Sequence, residues 1–125
     1  MAAADRRPAR RRVATKKGLS YSGKLRIIGG RWRGRRLSIT EAEGLRPTPD
    51  RVRETLFNWL QPYIAGARCL DLFAGTGALC LEALSRGAGQ VVMVEKDAHV
   101  VECLRQHVAI LQAVNADVVQ ADAVD

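Results

Sequence analysis

Apolar and polar positions along this chain follow two rhythms, one of strands and one of helices, and they divide its second half into short alternating elements. Residues 68–73 are a mostly apolar run of strand length, suited to a strand buried on both faces. From Ala78 the residues favour helix, which Ser85 and Arg86 end, with Gly87 and Gly89 closing or following it. Residues 90–94 are a β-branched apolar run that stops at Glu95, residues 98–111 have helical spacing, and residues 117–120 are a third strand running into Asp122. Strand, helix, strand, helix, strand predicts a parallel α/β sheet of the doubly wound class.

Two further elements precede this unit. Residues 24–28 and 35–39 are short β-prone runs, and Gly29, Gly30 and Gly34 supply positive φ angles for a hairpin loop between them. One hairpin is marginal by itself, so it needs RNA or the main domain beneath it. Thr48, Pro49 and Asp50 then open a helix, with Thr48 as the cap, Pro49 in the first turn and Asp50 at the positive end of the dipole. Val52, Leu56, Trp59, Leu60 and Tyr63 fall on one face of that helix, a stripe that predicts core packing, Trp59 included. Arg46, Arg51 and Arg53 occupy the opposite face or the preceding loop, where they can meet phosphate, and Glu54 is their expected ion-pair partner.

The run CLDLFAGTGALCL, beginning at Cys69, carries the chemistry. Gly75 and Gly77 let the backbone approach a ligand at a helix N-terminus above the carboxyl end of the strand. Asp71 at the strand tip repels a pyrophosphate, so a dinucleotide suits this turn poorly. No Gly-Lys-Ser/Thr follows, and the third position of a GxGxxG match is Cys80, which also argues against a phosphate loop. S-adenosylmethionine carries a sulfonium and an ammonium and is complementary to the acid. Glu95 stands twenty residues after Gly75, where a doubly wound sheet places the acid that pairs with ribose hydroxyls. Asp122, at the third strand's tip, either receives a base-edge amine by the same geometry or is simply a solvated acid. With the intervening Phe73, Ala74 and Thr76, these residues form the expected cofactor-binding set.

Charge is strongly segregated. Residues 1–36 hold 13 of the 20 basic residues and one acid, Asp5, whereas the remainder holds 7 bases and 12 acids. The leader 1–17 has too few apolar residues to offset its ordering entropy and is expected to be disordered in isolation. Because the basic bias continues through Lys24, Arg26, Arg31, Arg33, Arg35 and Arg36, with Trp32 among them as a stacking surface, the expected partner is nucleic acid. There is no signal h-region and no apolar stretch of membrane-spanning length, so a soluble chain is expected. Cys69, Cys80 and Cys103 form no CxxC pair, and His99 and His107 lie eight residues apart, so buried reduced thiols and no metal are expected.

Three blocks, RIIGGRWRGRRL (26–37), LRPTPDRVRETLFNWL (45–60) and CLDLFAGTGALCLEALSRGA (69–88), resemble the bacterial small-subunit ribosomal RNA guanine-N2 methyltransferases of the RsmD type. The likeness covers about residues 24–125 in the family's order, and the first two blocks are the more specific. It implies a Rossmann-like S-adenosylmethionine-dependent methyltransferase fold and a cytoplasmic enzyme, monomeric when complete. Its substrate is small-subunit ribosomal RNA or its assembly particle, and neither a membrane nor a metal is involved. It places Arg46, Thr48 and Arg51 on the substrate side, where they join Arg26, Arg31, Trp32, Arg33 and Arg35 of the basic hairpin. The expected organisation is a basic leader (1–22), an RNA-facing hairpin (23–44) and an incomplete cofactor domain (45–125). The family's amine-positioning motif, Asp/Asn-Pro-Pro-aromatic, is absent, since Pro8, Pro47, Pro49 and Pro62 are never adjacent. The chain therefore reads as the front part of such an enzyme, inactive alone; the alternative is a non-catalytic RNA-binding or cofactor-binding fragment.

Overall fold

Leu25 and Leu37 face each other across the first strand pair and are both buried, which is what anchors a hairpin to a domain. The computed structural model describes residues 23–39 and 48–124; the leader, Arg46 and Asp125 lie outside the described residues. Strands β1 (Gly23–Arg26) and β2 (Arg36–Ile39) pair antiparallel, within a residue or two of the expected runs. In the connecting loop Gly30 and Gly34 adopt φ of 80° and 83°, but Gly29 does not take a positive φ, so two glycines and not three make this turn. After α1 (Asp50–Ile64) the chain runs through β3 (Arg68–Asp71), α2 (Ala78–Ser85), β4 (Gln90–Glu95), α3 (Ala98–Leu111) and β5 (Ala116–Gln120). The three later strands are parallel in the order β3-β4-β5.

The core lies between this sheet, α2, α3 and the hairpin. Leu81 and Leu84 of α2, Val91 and Met93 of β4 and Leu104 of α3 are all fully buried in it, with Leu25, Ile27 and Leu37 from the hairpin side. At eight residues α2 is too short to be stable alone, and burial on nearly every side is what holds it.

Three expectations are corrected. The first strand ends at Asp71 and is not buried on both faces: Leu70, Leu72 and Phe73 are exposed, Phe73 to 70%. The reason is topological, since among the described residues only β4 pairs with β3, which therefore forms a sheet edge. The apolar stripe of α1 does not face the core either, except for Leu56, which is half-buried against it. Trp59 and Tyr63 are 74% and 75% exposed and Val52 is also exposed, whereas Arg53, Phe57 and Ile64 are the buried residues of the helix. Finally, Thr48 makes no capping hydrogen bond; Pro49 is the cap residue, with ψ of 146°, and Asp50 is the first helical residue.

An ion pair, and not the stripe, decides how α1 packs. Arg53 is fully buried, so it is not a phosphate-facing residue; its guanidinium donates to Asp50 Oδ1 at 2.8 Å and pairs with Glu82 at 3.6 Å. Its carboxylate partners are thus Asp50 and Glu82 instead of Glu54. Glu82, buried in the middle of α2, accepts the backbone N–H groups of Ile28 and Gly29 at 3.0 and 2.9 Å and Arg86 Nε at 2.8 Å. Arg86 in turn lies over the Phe57 ring, 5.5 Å from its centre. Three residues on, the Ser85 hydroxyl donates to Gly29 O and accepts from Trp32 N–H. The last turns of α2 thereby hold both the hairpin and α1.

Candidate cofactor cleft and basic face

The tips of the parallel strands meet around one carboxylate. Gly75 and Gly77 take left-handed φ of 55° and 82°, turning the chain from β3 into α2. Ala74 N–H donates to Val94 O at 3.0 Å, and Gly75 N–H donates to Glu95 Oε1 at 3.1 Å, so the turn is fastened to the end of β4. Glu95 Oε2 accepts from Asp97 N–H at 3.1 Å, and the Glu95 carbonyl accepts from Ala121 N–H at 3.0 Å. Asp71 Oδ1 accepts from Phe73 N–H at 3.0 Å, and Thr76 Oγ1, buried, accepts from Ala78 N–H at 3.3 Å. The two turn glycines have different tasks. A Cβ on Gly77 would stand 2.7 Å from Leu104 Cδ2 and 3.4 Å from Met93 Sδ, so Gly77 makes room for the core and not for a ligand.

Beside this turn, the ends of β4 and β5 border a solvent-open cleft of ≈ 120 Å³, lined by Leu72, Phe73, Glu95, Lys96, Ala121, Asp122, Ala123 and Val124. Of the expected cofactor set, Phe73, Glu95 and Asp122 line the cleft. Asp71, Ala74, Gly75, Thr76 and Gly77 build the adjoining turn, where Ala74, Thr76 and Gly77 are buried. Leu72, Lys96, Ala121, Ala123 and Val124 were not anticipated; their signal is adjacency to the strand tips, since a residue beside a tip shares its edge. Asp122 Oδ1 accepts from Val124 N–H at 3.1 Å, which leaves its second oxygen uncommitted among the described residues. Two carboxylates against one lysine, between apolar walls, fit a ligand with hydroxyl or amine donors and a cationic centre, and disfavour a pyrophosphate. This set of acceptors thus suits S-adenosylmethionine.

Cysteine chemistry plays no part in this cleft. Burial, reinforced by Asp71 and Cys69, pushes the Cys80 thiol up to about 12, and burial also raises Cys69. Both remain thiols at neutral pH, and no disulfide joins described cysteines.

On the hairpin, Arg26, Arg31, Arg33, Arg35 and Arg36 are exposed, as is Arg51 on α1. Three of the six are tied down: Arg26 pairs with Asp50 at 3.2 Å, Arg35 Nη2 donates to Ile110 O at 3.4 Å at the end of α3, and Arg31 rests on the Trp32 ring. Thr48 is half-buried, and Arg46 lies outside the described residues. Trp32 is not a stacking surface. Only 9% of it is exposed, and the Arg31 guanidinium covers its ring at 4.4 Å from the centre. The ring anchors the loop on α2 because its backbone N–H is held by Ser85, which carries the side chain into the core.

A family profile described as conserved hypothetical protein 95 matches residues 25–125. Ribosomal RNA small subunit methyltransferase D of Escherichia coli (strain K12) is 58% identical over 104 residues, covering 83% of this chain and 52% of that protein. Its namesake in Haemophilus influenzae is 50% identical over 105 residues, covering 82% and 54% respectively. Among solved structures, the yhhF protein of Escherichia coli superposes with a TM-score of 0.72 at 53% identity, covering 81% of this chain and 54% of that one. A hypothetical protein of Thermus thermophilus gives 0.65 at 36% identity, covering 78% and 55%. The chain spans about half the length of the curated relatives it matches.

Proposed function

The chain belongs to the RsmD family of small-subunit ribosomal RNA methyltransferases, and from that premise we propose that it forms the cofactor- and RNA-binding front part of an enzyme that methylates the exocyclic N2 amine of a guanine in small-subunit ribosomal RNA. Its fold is the Rossmann-like α/β methyltransferase fold, with three parallel strands and an antiparallel hairpin. The observation that carries the reading is the pinned Glu95 carboxylate beside a glycine turn, in a cleft that also holds Asp122.

In this reading S-adenosylmethionine, when bound, supplies a methyl group already activated on a sulfonium. Little acid–base help is then needed, and positioning accounts for most of the rate. Glu95 accepts from ribose hydroxyls, Asp122 accepts a base-edge amine, and Leu72, Phe73 and Val124 give the ligand apolar walls. Asp71 holds the turn through the Phe73 N–H. Arg26, Arg31, Arg33, Arg35, Arg46, Thr48 and Arg51 form the substrate side. Trp32 acts there by seating Arg31. The target guanine must be unpaired or flipped out to be reached. The leader 1–22, the hairpin 23–44 and the domain 45–125 divide these tasks, with a ribosomal assembly particle or its RNA as partner in the cytoplasm. The complete enzyme works as a monomer without a metal. The 125-residue polypeptide by itself is expected to bind cofactor and transfer nothing, because it carries no Asp/Asn-Pro-Pro-aromatic motif.

The reading is tested by incubating the complete gene product with labelled cofactor and small-subunit RNA, naked and as assembly particles, followed by nucleoside analysis. Label is expected in N2-methylguanosine; label confined to another nucleoside, or to none, overturns it. The RNA face has its own test in binding measured against salt. Changing Arg33 and Arg35 to alanine should reduce the slope of log affinity against log salt by about 0.7 for each phosphate that is no longer neutralised. An unchanged slope would remove both residues from the interface.

A further inference from the structure

The carboxylate assigned to the cofactor is not free to turn. Its two oxygens take the N–H groups of Gly75 and Asp97, each at 3.1 Å, while its main chain is fixed to Ala121 at 3.0 Å. A carboxylate offers about four acceptor sites, so two remain for a ligand, and the two bonds set the plane in which they lie. The anchors differ in kind. Gly75 has no side chain of its own to aim its N–H, whereas the Asp97 N–H is aimed by the Asp97 side chain. Asp97 Oδ1 accepts from His99 N–H at 2.8 Å and Val100 N–H at 3.2 Å, capping α3. Its carbonyl accepts from Val101 N–H at 2.9 Å, and its backbone sits at φ −81°, ψ 121°.

We propose that Asp97 is a positioning residue for the cofactor: by capping α3 it holds its own backbone N–H under Glu95 and so presets the carboxylate at the cleft. This rests on the assignment of Glu95 to the cofactor. The Asp97 side chain is committed to the first turn of α3, and its effect on binding passes through Glu95. A cap that served the helix alone would lower stability without altering what Glu95 does.

The test is calorimetric titration with S-adenosylhomocysteine of the unmodified protein, Asp97→Ala, Asp97→Asn, Glu95→Ala and the Asp97→Ala/Glu95→Ala double variant. Asp97→Ala should weaken binding about five- to tenfold, while Asp97→Asn, an equally good cap, should stay within about twofold of the unmodified protein. The double variant should bind as Glu95→Ala does, within about twofold, because nothing is left to position. Full additivity of the two single effects, or unaltered binding by Asp97→Ala, overturns the proposal while leaving the cofactor assignment intact. No binding by the unmodified protein overturns the assignment and the proposal with it. Urea midpoints of the two Asp97 variants, read alongside, separate loss of affinity from loss of fold.

Discussion

Replacing Gly30 with alanine should tear the hairpin off α2. Gly30 sits at φ of 80°, and a Cβ built on it would lie 1.9 Å from the Ser85 carbonyl oxygen and 2.3 Å from the Ser85 carbonyl carbon. Both are backbone atoms at the end of a buried helix and have nowhere to go. The approach is close because Arg31 N–H donates to that same carbonyl at 2.8 Å. Left-handed strain of ~1–3 kcal/mol and an overpacking cost of similar size together predict a loss of about 2–6 kcal/mol. Gly34 provides the control, since its φ is 83° but a Cβ there would meet no atom within 4 Å. Gly34→Ala should therefore cost only the strain. Equilibrium unfolding in urea gives the two values. Tryptophan emission reports the mechanism, because Trp32 is buried while Trp59 is already exposed, so release of the hairpin must shift the Trp32 component to the red. Equal destabilisation by the two substitutions would contradict the packing described here.

Glu82→Ala should be comparably damaging, for an electrostatic reason. Glu82 is 1% exposed, and its removal strips the acceptor from two backbone N–H groups and from Arg86, and leaves the buried Arg53 with the half-exposed Asp50 as its one carboxylate partner, beside the Arg26 carbonyl. Breaking a buried pair by deleting one partner costs about 3–5 kcal/mol. Arg53→Met should cost less, because Glu82 keeps Arg86 and both N–H donors while a similar volume fills the space. The comparison is made by urea unfolding of the two variants, and a larger loss for Arg53→Met would show that Glu82 is not the centre of this cluster.

The same cluster explains where the sequence was legible and where it was not. Helix α3, at Ala98–Leu111, and the strands starting at Gln90 and Ala116 follow their apolar patterns closely, since each buries one face against neighbours that are themselves apolar. Helix α1 follows no such rule. Its apolar stripe, with Trp59 and Tyr63, points outward, because the face that carries Arg53 is drawn inward by an acid on another helix, 29 residues further along the chain. The only trace of that acid is one charged residue in the otherwise uncharged run ALCLEALS. Trp32 is misread for a related reason: an arginine-rich segment looks like open surface, yet Ser85 fixes its backbone and Arg31 covers its ring. At the cleft, the twenty-residue interval between Gly75 and Glu95 brings turn and acid to neighbouring strand tips, as that spacing leads one to expect. That Glu95 spends two of its acceptor sites on the surrounding backbone is a matter of side-chain geometry that spacing does not encode.

Whether Glu95 and the cleft at the strand tips serve S-adenosylmethionine is tested most directly by a paired calorimetric titration of the chain with S-adenosylhomocysteine and with NAD. S-adenosylhomocysteine should bind and NAD should bind more weakly or not at all, because a pyrophosphate meets Glu95 and Asp122 against only Lys96. Glu95→Ala should weaken S-adenosylhomocysteine by ~1–3 kcal/mol, the scale of losing hydrogen bonds to a charged group. Equal or tighter binding of NAD, or an affinity for S-adenosylhomocysteine that Glu95→Ala leaves unchanged, would contradict the assignment.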